Sequence, residues 1–142
     1  MNAAVSLKGH GPHSQRVLVV DDEECIRETM YELLASEGIE TLTALGSNDC
    51  LRILREGFRG VILMDVMMPG KNGWDTVREI EKEGLLEGNI IAMLTAMDVP
   101  DERMEGLQEI VIDYLTKPFE PYELISAVRR YLTLLDRIQT GA

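Results

Sequence analysis

Residues 61–84 read VILMDVMMPGKNGWDTVREIEKEG, a stretch that decides the fold because it holds one complete strand, loop and helix. The run Val61–Met64 is continuously apolar, which is typical of a strand buried on both faces. Pro69 and the glycine after it favour a turn. Helical spacing then predicts a helix from about Trp74 to Glu83, closed by the glycine that follows it. The stretch is therefore one β–α unit.

The same alternation extends in both directions along the chain. Segments with helical spacing separate the apolar or β-branched runs, and a last helical segment follows the fifth run. Five such units favour an α/β fold whose parallel sheet is covered by helices on both faces. The predicted strands are Val17–Val20, Thr41–Ala44, Val61–Met64, Ile90–Leu94 and Val111–Leu115.

The other helices are predicted from their apolar spacing and their end signals. The first carries Ile26, Met30, Leu33 and Leu34 on one face and ends at Gly38, and the second runs from Ser47, as its N-cap, to Gly57. A fourth follows Asp98 and Pro100 with Met104 and Leu107 facing inward, and the last runs from Pro121 with Leu124, Ile125, Val128, Leu132 and Leu135.

Length and composition limit the classes of function. We expect one domain in the 142 residues, with a flexible leader at 1–15, a globular domain at 16–142 (core about 16–135) and no output domain. The net charge of −11 repels phosphate backbones and anionic lipids, which argues against direct nucleic-acid or membrane binding. No apolar run is long enough to span a bilayer, and residues 1–15 lack the apolar core of a signal peptide. We therefore expect a cytoplasmic location. Cys25 and Cys50 are predicted to be reduced thiols on buried helix faces.

Four of the five predicted strands are followed by a polar or charged residue. Because ligands bind at the carboxyl ends of parallel strands, these side chains should lie close together. Three carboxylates in one place repel each other, and they stay ionised only with a cation among them unless one pKa rises. The residues are Asp21 and Asp22 after the first strand, Asp65 after the third, Thr95 after the fourth and Lys117 after the fifth.

This set of side chains matches the needs of phosphoryl transfer. Carboxylates with a main-chain carbonyl and water suit Mg²⁺, and a lysine and a hydroxyl neutralise charge on phosphoryl oxygens. An ionised carboxylate beside them can attack phosphorus and hold an acyl phosphate. Taken singly, each residue also fits a plainer role, since the acidic run 21–24 suits a helix N-terminus and Asp65, Thr95 and Lys117 suit strand ends or turns. Their joint placement favours the phosphoryl site.

Four motifs, in this order, resemble the response-regulator receiver family of two-component signalling. The resemblance covers about residues 16–135 and implies a flavodoxin-like (βα)₅ three-layer sandwich with sheet order 2-1-3-4-5. The motifs are Val19-Val20-Asp21-Asp22-Glu23, Leu63-Met64-Asp65-Val66-Met67-Met68-Pro69, Leu94-Thr95-Ala96 and Asp113-Tyr114-Leu115-Thr116-Lys117-Pro118-Phe119.

The resemblance implies a phosphoacceptor and a metal site. Asp65 would accept a phosphoryl group from a sensor histidine kinase or a phosphotransfer protein. Mg²⁺, or Mn²⁺ in its place, would bind Asp22, Asp65 and the main-chain carbonyl of Met67, with Asp21 acting through water. These roles are expectations that come from the family and not from spacing.

The resemblance also implies how the phosphoryl group is bound and sensed. Thr95, Ala96 and Lys117 would bind it, Thr95 and Tyr114 would form the switch, and the Lys117–Pro118 peptide would be cis. The fourth helix, fifth strand and fifth helix would present a face to a downstream protein or to a second copy of the chain. One departure concerns this face, because Ile110-Val111 stands where the family usually has Gly-Ala.

Other functions on similar folds fit less well. A haloacid-dehalogenase-like phosphohydrolase needs a second aspartate two residues after its nucleophile, and this chain has Met67 there. A flavin or nucleotide binder needs a Gly/Ser/Thr-rich loop after the first strand, where this chain has the acidic run 21–24. A receiver-shaped adaptor that never takes up phosphate remains open. We expect a signalling phosphoacceptor and not an enzyme.

Two methionines predict how long a phosphoryl group would persist. In the resembled family, the residues two after the phosphoacceptor and two after the switch threonine flank the path of the hydrolytic water. Here they are Met67 and Met97, which cannot hydrogen-bond water. We therefore expect a long-lived phosphoryl state.

Overall fold

The computed structural model describes residues 16–96, 106–107 and 109–140, and the expected leader lies outside them. Five strands pair in parallel in the order β2-β1-β3-β4-β5, which confirms the predicted sheet and its strand order. Each predicted strand lies within an observed one. The strands are β1 (Arg16–Val20), β2 (Glu40–Ala44), β3 (Val61–Asp65), β4 (Ile90–Thr95) and β5 (Val111–Thr116).

Four helices are described: α1 (Glu24–Ser36), α2 (Ser47–Arg55), α3 (Gly73–Lys82) and the C-terminal helix (Pro121–Thr140). The predicted fourth helix after Asp98 lies outside the described residues, apart from Leu107, which is buried. The C-terminal helix continues past Leu135, the last apolar residue of its predicted inward face. None of the described helices is long and apolar enough to cross a membrane.

One predicted helix end is wrong. Gly46, and not Ser47, is the N-cap of α2. Ser47 is the first residue of the helix, and no side-chain hydrogen bond caps this end. The side chain that reaches back to the preceding loop belongs to Asp49, which accepts a hydrogen bond from the Leu45 N–H at 3.0 Å. Ser47 and Asp49 both carry side-chain oxygens that suit the start of a helix, so the sequence pattern did not show which of the two bonds to the preceding loop.

The sheet is buried on both faces, as its continuously apolar strands predict. Alternate residues of each strand point to opposite sides. One core packs α2 and α3 against Leu18, Ile62 and Met64, and the other packs α1 and the C-terminal helix against Val17 and Leu63. Burying an aliphatic side chain of this size contributes about 1.5–3 kcal/mol, so both layers of helices are needed to hold the sheet.

The two cysteines differ in burial. Cys50 is buried in the core beneath α2, as predicted, but Cys25 is exposed, so that half of the prediction is wrong. Cys25 lies in the first turn of α1 and lines a groove beside Lys117 and Pro118, where no element of the described residues covers it. The helical pattern did not reveal this exposure. Cys25 is next to Ile26 on the apolar side of α1, and that side faces the open groove.

Strand β5 contains one irregularity, which sets the direction of its side chains. Ile91 pairs with Val111, but the next residue of β4, Ala92, pairs with Asp113, so Ile112 is an extra residue in β5. Such a bulge reverses the alternation of side chains. As a result, Tyr114 lies on the α3 side of the sheet, where it contacts Trp74.

Candidate functional site

The carboxyl ends of β1 and β3 bring three aspartates together. Carboxylate oxygens of Asp21, Asp22 and Asp65 lie within 4.8 Å of one another, which is the convergence that the strand ends predict. Asp21 and Asp65 are buried, whereas Asp22 is exposed. A divalent cation could therefore reach the cluster from the solvent side through Asp22.

Lys117 joins the cluster from the end of β5. Its Nζ donates hydrogen bonds to Asp21 Oδ2 at 3.0 Å and to Asp65 Oδ1 at 3.3 Å. The backbone also ties this residue to the end of β4, because its N–H donates to the Thr95 carbonyl at 2.7 Å. The Lys117–Pro118 peptide is cis, as the resemblance implies. Lys117 thus bridges the two buried carboxylates.

The electrostatics of the site leave Asp65 short of positive charge. Burial raises the pKa of Asp65 to about 6, and the charge of Asp21 adds to this, while Lys117 and the N–H of Met67 act in the opposite direction. Burial would lower the pKa of Lys117, but its hydrogen bond to Asp21 and the charges of Asp65 and Asp21 raise it above its ordinary value. One lysine therefore serves two buried carboxylates, and an oxygen-rich set with excess negative charge fits Mg²⁺.

Asp21 is fixed by hydrogen bonds on all sides. Its N–H donates to the Ala44 carbonyl at 3.2 Å, and its Oδ1 accepts from the Glu23 N–H at 2.9 Å. Its main-chain carbonyl accepts a hydrogen bond at 2.8 Å from Nη1 of Arg27, a buried residue of α1. With Lys117 on Oδ2, every polar group of Asp21 is paired. Asp21 is the rigid part of the cluster.

The loop after Asp65 is held close to the sheet at both ends. The Val66 N–H donates to Leu94 in β4 at 3.0 Å, and the Gly73 N–H donates to the Val66 carbonyl at 2.9 Å. Asn72 and Asp75 cap the start of α3 with reciprocal hydrogen bonds. A side chain at Gly73 would clash with the main-chain oxygen of Asp65, so only glycine permits this close approach.

The remaining predicted residues surround this centre. The Met67 side chain is 70% exposed, and its N–H donates to Asp65 Oδ1 at 3.3 Å. Thr95 ends β4, and the exposed Ala96 follows it. Tyr114 lies farther along the sheet, 40% exposed, with its ring centre 6.2 Å from that of Trp74. Met97 lies outside the described residues.

An apolar groove of about 550 Å³ adjoins the cluster between α1 and the segment after β5. Its α1 side is formed by residues that include Ile26, Met30 and Leu33, and its other side by Lys117 and Phe119 among others. Ala96 also lines it, so the groove reaches the end of β4. An apolar surface therefore continues directly from the acidic centre.

Sequence reasoning missed two residues that shape the site. Arg27 carried a signal, because it shares the buried stripe of α1 with Met30 and Leu34 at helical spacing, where a charged residue needs a partner. Gly73 carried only a weak signal in the sequence, because glycine is common near the start of a helix. Its role depends on contact with Asp65, which spacing does not reveal.

Comparison with known proteins agrees with this geometry. The family model described as response regulator receiver domain matches residues 17–129. The chain belongs to the response regulator receiver family. Receivers of this family are signalling components of two-component systems that interact with histidine kinases and effector domains, and they bind Mg²⁺ at an acidic cluster.

Relatives and solved structures support this membership. PhoB, the phosphate regulon transcriptional regulatory protein of Escherichia coli K12, is 33% identical over 116 residues, 82% of this chain and 51% of PhoB. A CheY-like receiver from Methanospirillum hungatei JF-1 is 41% identical with a TM-score of 0.81, covering 84% of this chain and 95% of that one. TrrA of Thermotoga maritima, solved with Mg²⁺ and BeF, is 32% identical with a TM-score of 0.70, covering 82% and 98%. This chain spans about half the length of the curated relatives that it matches.

Proposed function

We propose that Asp65 is the phosphoacceptor of this receiver and that the acidic cluster binds the Mg²⁺ that the reaction needs. The observation that supports this most directly is the cluster itself: three carboxylates within 4.8 Å of one another, with Lys117 bonded to two of them. Among these carboxylates, Asp65 stands at the end of β3, in the centre of the five-stranded sheet.

The residues at hand suit the proposed metal site. Asp22 and Asp65 would be direct ligands together with the main-chain carbonyl of Met67, and Asp21 would act through a bound water. Mg²⁺, or Mn²⁺ in its place, supplies positive charge to the phosphoryl oxygens when bound. TrrA, which was solved with Mg²⁺ and BeF, offers a precedent in a relative of the same fold.

The chemistry assigned to Asp65 is an in-line transfer. Its ionised oxygen attacks the phosphorus, an O–P bond forms, and the P–N bond to the donor histidine breaks with the electron pair returning to the imidazole nitrogen. Lys117, which already contacts Asp65 Oδ1, would then turn to a phosphoryl oxygen. Thr95 would donate its hydroxyl to the phosphoryl group, and the small Ala96 leaves room for the donor.

The proposed partners follow from the surfaces around the centre. A histidine kinase or phosphotransfer protein must bring its phosphohistidine to Asp65, and the apolar groove beside Lys117 is the adjoining surface that it could bury. Phosphorylation would draw Thr95 inward and let Tyr114 turn, so that the face around β5 and the C-terminal helix changes for a downstream protein or a second copy. We assign to this chain the role of a cytoplasmic signalling receiver, and not that of an enzyme with an external substrate.

Incubation with acetyl phosphate and Mg²⁺, followed by intact mass measurement, tests this function. We expect one added phosphoryl group on the wild-type protein and none on Asp65→Asn. The same reaction with EDTA in place of Mg²⁺ should also give none. A wild-type protein that gains no mass would contradict the proposal and favour an adaptor that works without phosphate. An Asp65→Asn variant that gains the same mass would contradict it too, because the phosphoryl group would then be on another residue.

A further inference from the structure

Arg27 is a charged residue in an apolar place. Only 8% of it is exposed, and it shares the buried stripe of α1 with Met30 and Leu34. Its Nη1 donates a 2.8 Å hydrogen bond to the main-chain carbonyl of Asp21. Burying a guanidinium is costly, so a buried arginine needs a partner that is worth the cost. Here the hydrogen-bonded partner is a backbone group at the edge of the acidic cluster, and the charge of Asp49 on α2 also interacts favourably with the guanidinium.

The carbonyl that Arg27 holds belongs to the peptide that joins Asp21 to Asp22. Among the described residues, the Asp22 carboxylate has no hydrogen bond of its own, whereas both carboxylate oxygens of Asp21 are bonded. The place of the Asp22 side chain therefore depends on the backbone of the turn between β1 and α1. Arg27 ties that turn to α1 through its hydrogen bond to the Asp21 carbonyl.

We propose that Arg27 is a positioning residue for the metal site: its hydrogen bond to the Asp21 carbonyl directs the Asp22 carboxylate towards Asp65. The inference rests on the proposed function, in which Asp22 and Asp65 bind the ion directly. Without Arg27 the Asp21 carbonyl loses the hydrogen bond that ties it to α1, which favours movement of the turn towards water. Movement of the turn displaces Asp22 from the cluster.

The charge of Arg27 predicts the opposite effect, and this makes the proposal testable. A guanidinium behind an acidic cluster repels a divalent cation, so removing the charge alone would strengthen Mg²⁺ binding. Removing the positioning hydrogen bond weakens it. Mutating a group that orients the metal ligands typically changes the metal affinity by about 10–100-fold. We expect the repulsion from the Arg27 charge, which does not contact the ion, to change the affinity by less. Positioning should therefore decide the sign.

Mg²⁺ titration calorimetry on the full chain separates the two effects. Arg27→Met keeps an apolar stem but loses the donor and the charge, and we expect its Mg²⁺ affinity to fall by about tenfold, the low end for such groups. Arg27→Lys keeps a donor and the charge, so its affinity should lie between those of Arg27→Met and wild type. Equal or tighter binding by Arg27→Met would overturn the proposal in favour of the charge effect.

Arg59 offers a matched control. Its Nη1 also donates to main-chain carbonyls, those of Phe58 and Leu54, but it precedes β3 at the opposite end of the sheet from Asp65. Arg59→Met should lower the unfolding temperature without changing Mg²⁺ affinity. A loss of Mg²⁺ affinity in Arg59→Met equal to that in Arg27→Met would mean that general loosening of the fold explains both, and would overturn the proposal.

Asp22→Ala distinguishes a failure of this inference from a failure of the proposed function. If wild type and Asp22→Ala bind Mg²⁺ equally, the metal site itself is wrongly assigned, and the role of Arg27 falls with it. If Asp22→Ala loses binding while Arg27→Met keeps wild-type affinity, the metal site stands and only the role of Arg27 is refuted.

Discussion

At the scale of the residue, Asp65 is a carboxyl group in a place that disfavours its charge. Its pKa is raised from 3.8 to about 6, mainly by burial, so the folded protein holds this proton more tightly than the unfolded chain. Between these two values the free energy of unfolding should fall as the pH rises, and above pH 6 the full cost remains. A function that needs an ionised Asp65 is thus opposed by the fold until a cation arrives.

Replacing Asp65 with asparagine should therefore stabilise the metal-free protein. At pH 7 in EDTA, we expect the free energy of unfolding of Asp65→Asn to exceed that of wild type by about 1–2 kcal/mol, less than the raised pKa alone suggests because the bond to Lys117 is weakened. Urea unfolding at pH 7 and at pH 4 measures this, and at pH 4 the advantage should be small. An Asp65→Asn variant that is less stable at pH 7 would contradict the argument.

Met67 is the second residue with a testable effect of its own. Its side chain is 70% exposed beside Asp65, and an apolar thioether cannot orient a water molecule for attack on the acyl phosphate. We predict that the double variant Met67→Asn, Met97→Glu loses its phosphoryl group faster than wild type, by about tenfold to a hundredfold. Dephosphorylation at saturating Mg²⁺ measures the rates. Equal rates would mean that the two methionines do not set the lifetime of the phosphoryl group.

At the scale of the element, the junction of the loop and α3 holds the back of the site. Gly73 lies so close to the Asp65 carbonyl and the Met93 side chain that an added methyl group must displace one of them. Gly73→Ala should lower the free energy of unfolding by about 1–3 kcal/mol and slow phosphorylation by acetyl phosphate. Gly46→Ala is the control for phosphorylation, because its added methyl group lies within 4 Å of no described residue other than its chain neighbours, and its own loss of stability is limited to the weaker N-cap. Equally slow phosphorylation of both variants would contradict this account.

The elements themselves could be read from the sequence because their burial is simple. Short continuous apolar runs such as Val61–Met64, which alternate with turn signals and helical segments, indicate strands covered on both faces, and their ends then locate Asp21, Asp65 and Lys117. The bulge at Ile112 could not be read, because an extra residue in an apolar run leaves the pattern unchanged.

The features that the sequence did not predict share a physical cause, because they depend on contacts between residues that no local sequence pattern relates. Cys25 is exposed because a groove opens beside Lys117, which lies far along the sequence. Ser47 was preferred over its neighbour as a helix cap because local propensity cannot see which side chain reaches the loop. Arg27 and Gly73 matter through single contacts with main-chain oxygens, to which no motif refers.

At the scale of the whole molecule, a net charge of −11 makes the stability of the fold sensitive to divalent cations. A ligand that binds only the folded state stabilises it by about 2.7 kcal/mol at a concentration of one hundred times its Kd. For a domain of this size that corresponds to a rise in the unfolding temperature of roughly 10 °C.

The prediction is that Mg²⁺ raises the unfolding temperature of wild type far more than NaCl of the same ionic strength, and that Asp22→Ala loses most of the difference. Calorimetric scans at pH 7 provide the measurement. Screening of the surface charge alone would give equal shifts for both salts and for both proteins, and that result would remove the acidic cluster as the cause.

The contact between Trp74 and Tyr114 gives the molecule an optical label of its own. Trp74 is the only tryptophan in the chain, it is buried, and its ring centre lies 6.2 Å from that of Tyr114. Its emission should therefore change when Tyr114 turns, so beryllofluoride with Mg²⁺ should alter the fluorescence of wild type but hardly that of Tyr114→Leu. Tyr122→Leu, at an exposed tyrosine of the C-terminal helix, should behave like wild type. An unchanged response in Tyr114→Leu would show that the emission follows the metal site alone, whereas its loss would let stopped-flow optics time the switch without any attached dye.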